Sequence, residues 1–154
     1  MLRLSKKADY ALIAMKHLAL NGDGSSSARE IASLYDIPIE LLAKILQRLV
    51  RHSLLVSQQG TRGGYQLARE PLLISVADVI QAIDGPVTVT ACSSEEGSNC
   101  EQFAKCNVRD PLWRVRERIV NALGECTIAE LAADQPQPAP PEPTEHAMVL
   151  HTHI

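Results

Sequence analysis

Cys92, Cys100 and Cys106 share one polar segment, with seven and then five residues between them. Three soft thiolates so close together suit metal ligation. Iron–sulfur ligation fits well, because cluster ligands tolerate irregular spacing and a fourth donor other than cysteine. The spacing is not the paired C-x2-C arrangement of a zinc finger. On spacing alone, zinc, a redox-active thiol pair and unliganded cysteines remain open alternatives. Cys126 stands apart in an apolar context and reads as a core residue.

The elements that must position those thiols begin with a charge asymmetry. The chain has 154 residues and a formal charge of −3, but residues 1–70 carry +4 and residues 71–154 carry −7. A basic N-terminal half can meet phosphate while the rest repels it, which confines nucleic-acid contact to one face. Apolar content is 45% and almost wholly aliphatic, with one Trp, one Phe and three Tyr. No apolar run approaches the length of a membrane span and no secretory block precedes the first helix, so a cytoplasmic protein is expected. In a reducing compartment four cysteines argue for metal or redox chemistry rather than disulfides.

Ser5 is placed to cap a helix running to about Leu20, with Ala11, Ala14, Met15 and Leu18 on its buried stripe. Ser27-Ala28-Arg29-Glu30 is a capping box, and Ile31, Leu34 and Tyr35 are the expected buried positions of a short second helix. Pro38 suits the first position of a third. There Leu41, Leu42, Ile45, Leu46 and Leu49 form an apolar face, while Glu40, Lys44, Gln47, Arg48 and Arg51 fall on the remaining surface. Two short helices joined by a tight turn, the second with a polar outer stripe, are a helix-turn-helix. Strands are predicted at residues 54–57 and 65–67, and the glycine-rich tip between them carries Arg62 and Gly63. That hairpin completes a winged helix. Ser75 opens a further helix with Val76, Val79, Ile80 and Ile83 inside, ended by Asp84-Gly85-Pro86. Asp110-Pro111 starts a longer amphipathic helix, stopped by Gly124, whose apolar side suits a second subunit. Thr127 caps a last short helix, and the proline-rich residues 132–154, with three histidines, read as a disordered tail.

The fold expected is therefore mainly α with a small β-hairpin: a winged helix-turn-helix followed by a long C-terminal dimerisation helix. Residues 1–131 make the regulator domain. Within it, 1–86 form the DNA-binding part, 87–109 the cysteine loop and 110–131 the dimerisation and short helices. Glu40, Lys44, Gln47 and Arg48 are expected to face the major groove of double-stranded DNA, with Arg62 and its neighbour Gly63 at the minor groove. Lys6, Ser27 and Arg51 are assigned to phosphates.

The chain resembles the family of winged-helix iron–sulfur regulators that includes the Isc regulator, the NsrR repressors and the SUF-operon regulators. The resemblance is carried by Leu2–Ala11, Leu41–Leu55, Gly60-Thr61-Arg62-Gly63-Gly64-Tyr65-Gln66-Leu67, Ile74–Ile80, Ile83-Asp84-Gly85-Pro86 and the three cysteines. Cys106-Asn107-Val108-Arg109 and Leu123–Leu131 look most like the SUF-regulator branch. It implies a homodimeric repressor with one [2Fe–2S] or [4Fe–4S] cluster per subunit. It further implies cluster-controlled affinity for an operator, acting on cluster-assembly (SUF) or related stress genes. Isc-type members place a histidine three residues after the last cysteine; this chain has Arg109, whose permanently charged guanidinium cannot ligate iron. NsrR-like members use an aspartate of the partner's first helix, and the resemblance makes Asp9, in trans, the choice for the fourth ligand beside Cys92, Cys100 and Cys106, with Glu101, Asp110 or an exogenous thiol remaining open. Two alternatives compete: a cluster-free regulator answering to zinc or thiol oxidation, and a thiol oxidoreductase using Cys92 and Cys100. The second lacks a C-x-x-C, a cofactor loop and a base to activate a thiol, so no enzymatic activity is expected.

Overall fold

The computed structural model describes residues 3–61, 63–90 and 100–134. Its elements, in order, are α1 (Lys6–Leu20), α2 (Ala28–Leu34), α3 (Ile39–Arg51), β1 (Leu55–Gln58) and β2 (Gly64–Leu67). A 3-10 turn (Pro71–Leu73), α4 (Val76–Asp84), α5 (Arg109–Glu125) and α6 (Ile128–Ala133) follow. Cys92, Arg62 and the tail from Gln135 onward lie outside the described residues.

Hydroxyl caps set most helix starts. Ser5 Oγ accepts the Ala8 N–H at 3.1 Å, while Ser27, Ser75 and Thr127 stand in complete capping boxes with Glu30, Asp78 and Glu130. The expected apolar stripes of α1, α3 and α4 then meet in one core. Met15, Leu18, Ile31, Leu42, Leu46, Leu49, Leu55, Ile74 and Val79 are fully buried, and Ile128 of α6 joins them. The chain thus returns to its first helix after the cysteine segment. Ile128 N–H donates to Ile74 O at 2.9 Å and Val76 N–H to Cys126 O at 2.8 Å, so residues 126–128 are stitched to the start of α4. At the other end of α4, Ser5 Oγ donates to Asp84 Oδ1 at 2.6 Å.

The two strands pair antiparallel, Leu55 with Leu67 through Gln58 with Gly64. This hairpin does not hang free. Tyr65 N–H donates to Ser26 O at 2.8 Å and Ser26 N–H to Tyr65 O at 3.1 Å, docking β2 on the residue before the α2 cap. The contact needs glycine: a Cβ on Gly64 would lie 2.7 Å from the Ser26 carbonyl atoms, which are backbone and cannot swing away. Gly64→Ala is therefore expected to cost about 1–3 kcal/mol of stability, read as a lowered midpoint in urea unfolding, by forcing the hairpin off Ser26. An unchanged midpoint would show that the docking is dispensable.

Several expectations are corrected. Pro38 is the N-cap of α3 rather than its first residue. In α2 the buried side is Ile31 and Ala32, with Ala28 partly covered. Leu34 is 61% exposed and Tyr35 39%. Ile31 and the two small alanines seat this seven-residue helix, and Leu34 lies about 110° round from the mean direction of those three. Gly124 does not stop α5, which runs on to Glu125; the helix ends at Cys126 because that residue turns extended to reach Val76.

Candidate nucleic-acid interface and thiol loop

At 100° per residue, Glu40, Lys44, Gln47 and Arg51 fall within about 60° of one another on α3, opposite buried Leu49. All four are exposed. The stripe is a consequence of packing: Leu42, Ile45, Leu46 and Leu49 fix which side of α3 faces the core, and the polar residues inherit the other. Arg48 sits at the stripe's edge. Its Nε donates to Ala82 O, at the end of α4, at 2.7 Å, so part of its guanidinium serves packing rather than a groove.

Ser27 Oγ accepts the Glu30 N–H at 3.2 Å. The Ser27 N–H in turn donates to Glu30 Oε2 at 2.7 Å and, with the hydroxyl, holds that carboxyl below the usual carboxylate range. Lys6 is exposed at the start of α1, with Nζ 5.6 Å from the Tyr10 ring centroid. At the wing tip Gly63 N–H donates to Gly60 O at 3.0 Å, and a Cβ on Gly63 would meet Gln58 O at 2.6 Å. Glycine there is required by the hairpin itself.

His17 is bonded on both ring nitrogens rather than standing free on the helix surface. Its Nδ1 lies 3.2 Å from Tyr35 Oη and its Nε2 3.1 Å from Ser26 Oγ, which also accepts from Asn21 Nδ2 at 3.1 Å. One ring therefore joins α1 to the end of α2 and to the buried serine on which the wing docks. The signal was available only in three dimensions, since nine and eighteen residues separate His17 from its partners.

The described part of the thiol loop contains Cys100 and Cys106, both half-buried and unpaired to any disulfide. Between them two successive turns, Phe103 N–H to Cys100 O and Lys105 N–H to Gln102 O, each at 3.0 Å, compact the segment just ahead of α5. Cys126 is half-buried too, rather than the core residue its apolar context suggests, but its partial burial, then the Glu130 and Asp134 carboxylates, push its thiol above the usual range, which makes it a poorer ligand at neutral pH. Among the described residues no three His, Cys, Asp or Glu side chains converge to hold a metal. Asp9, exposed on α1, is not brought together with Cys100 and Cys106 in one chain. Half-buried soft thiols in a turn suit iron–sulfur ligation, and the remaining thiol, Cys92, is outside the described residues. No residue of α5 is buried, and Trp113 and Val115 are 43% and 42% exposed.

Residues 4–134 match the model of the family described as Rrf2, iron-dependent transcriptional regulator. The HTH-type transcriptional regulator IscR of Yersinia enterocolitica is 35% identical over 136 residues, covering 87% of this chain and 81% of the relative. Among solved structures, CymR, the global cysteine regulator of B. subtilis, aligns with a TM-score of 0.69 and 31% identity over 86% of this chain and 98% of its own. IscR of T. potens aligns with a TM-score of 0.66 and 28% identity over 89% and 94%. Among the described residues no helix is long and apolar enough to cross a membrane.

Proposed function

This chain belongs to the Rrf2 family of iron-dependent transcriptional regulators, and from that premise we propose that an iron–sulfur cluster sets its affinity for an operator. It is a winged-helix transcription regulator that binds DNA. Cys92, Cys100 and Cys106 hold the cluster, with Asp9 of a second copy as the fourth ligand. When bound, the cluster supplies a site whose occupancy follows iron and oxidant levels. The observation that carries the reading is the pair of half-buried thiols on a two-turn loop directly ahead of α5, in a chain whose α3 presents an exposed polar stripe.

The chain's own residues divide the work. Lys44, Gln47 and Glu40 read base edges, Arg51, Ser27 and Lys6 meet phosphates, and Arg62 with Gly63 brings the wing to the minor groove. Arg48 supports α3 from behind through Ala82. The uncovered apolar side of α5 packs on a second copy, giving a homodimer and a near-palindromic operator. Repression of cluster-assembly (SUF) or related stress genes is the role such a sensor would serve.

A cluster-free reading keeps one supporting observation, the likeness to a cysteine regulator. Both are tested by purifying the protein without oxygen, recording visible absorbance, assaying iron and sulfide, and titrating operator DNA before and after chelation. A coloured protein with iron and sulfide in equal amounts, whose operator affinity changes about 5–150-fold on chelation, is expected. A colourless protein that binds its operator and responds to thiol oxidation would overturn the cluster.

A further inference from the structure

We propose that Arg109 is a positioning residue that latches the loop between Cys100 and Cys106 in its ligating shape; the inference rests on the cluster reading above and deepens it. Arg109 opens α5, three residues after Cys106. Its Cζ lies 4.7 Å from the Phe103 ring centroid, its Nη1 donates to Phe103 O at 3.3 Å, and its Nε donates to Asp110 Oδ1 at 2.8 Å. One side chain thus grips both the ring and the carbonyl of the residue midway between two thiols, and is itself steered by the neighbouring carboxylate.

The loop needs such a grip. Residues 101–105 are all exposed, and among the described residues two backbone turns and this contact hold their shape. Phe103 is the hub. Its N–H closes the turn onto Cys100 O, and its carbonyl and ring hold Arg109. The planar guanidinium is suited to this in a way an ammonium is not, because it stacks on a ring and donates from its edge at once. Its permanent positive charge also stands beside residues that must be thiolates when they ligate.

The test compares Arg109→Ala, Arg109→Lys and Phe103→Leu with wild type. In cluster-free protein, backbone amide exchange at Phe103 and Lys105 is expected to quicken about 10-fold in all three, while amides of the α1–α4 core keep wild-type rates. In loaded protein, loss of iron to a chelator is expected to run about 10–100-fold faster in Arg109→Ala, as is common for residues supporting metal ligands, and the visible circular dichroism should change. Arg109→Lys keeps the charge but is expected to rescue neither readout. Because both residues serve one contact, the Arg109→Ala, Phe103→Leu double variant should lose iron no faster than the quicker single. Unchanged amide exchange in Arg109→Ala, or iron retained as long as in wild type, would overturn the latch. So would faster exchange spread equally through the core. If wild type itself carries no iron the functional reading fails, and the cluster-free exchange experiment alone decides the latch.

Discussion

Replacing Lys44 with glutamate is expected to weaken operator binding by roughly 100- to 1,000-fold while leaving the fold and the iron content at wild-type levels. Lys44 is exposed in the middle of the α3 stripe, between Glu40 and Gln47, so the change touches no core contact. A good base or phosphate contact is worth about 1–3 kcal/mol, and charge reversal adds repulsion from nearby phosphates. A symmetric dimer takes the loss twice. Because Lys44 is assigned to base edges, the loss should be larger on operator than on unrelated duplexes. Fluorescence anisotropy on operator and unrelated duplexes, at several salt concentrations, reads both effects. Wild-type affinity in Lys44→Glu would mean that α3 is not the reading helix.

Cys106→Ala is expected to carry about a tenth or less of the wild-type iron and sulfide, because the two remaining thiolates and one carboxylate leave a cluster iron short of a ligand. Its melting transition should stay near wild type, since Cys106 is only half-buried and contributes little to the core. Operator affinity should then be indifferent to iron, whereas wild type changes by a coupling of about 1–3 kcal/mol. Cys126→Ala is the matched control. Its thiol is held protonated by burial and by Glu130, so iron content should be unaffected. Full iron in Cys106→Ala, or loss of iron in Cys126→Ala, would move the site away from the loop.

The parts of this molecule legible in its sequence are those written in local patterns. Ser5, Ser27 and Thr127 cap the helices their spacing announces, and the stripes of α1, α3 and α4 are buried as their periodicity requires. What escaped was set by tertiary contact. Leu34 is exposed because Ile31 and two small alanines seat α2, a preference no apolar period expresses. Gly124 stays helical because the pairing of Cys126 with Val76, fifty residues away in sequence, decides where α5 ends. Arg48 matches its exposed neighbours Lys44 and Arg51 in charge, yet Ala82 draws part of it inward. His17 and Gly64 owe their roles to Ser26, which lies between them, bonded to one and touching the other. The chemistry of the thiol segment follows from residue type, whereas Arg109 acquires its role only through the Phe103 ring.

Residues 85–126 depart from one end of α4 and are fastened again at its other end, through Thr127 on Ser75 and Val76 on Cys126. Nine helical residues hold those two moorings roughly 13 Å apart. The end of α5 is thereby tied to the start of the helix that precedes the thiol segment, so the described part of that segment, residues 100–125, is anchored at its C-terminal side by α4. The far end of that same helix, through its Ala82 carbonyl and Asp84 carboxylate, steadies Arg48 of α3 and Ser5 at the head of α1.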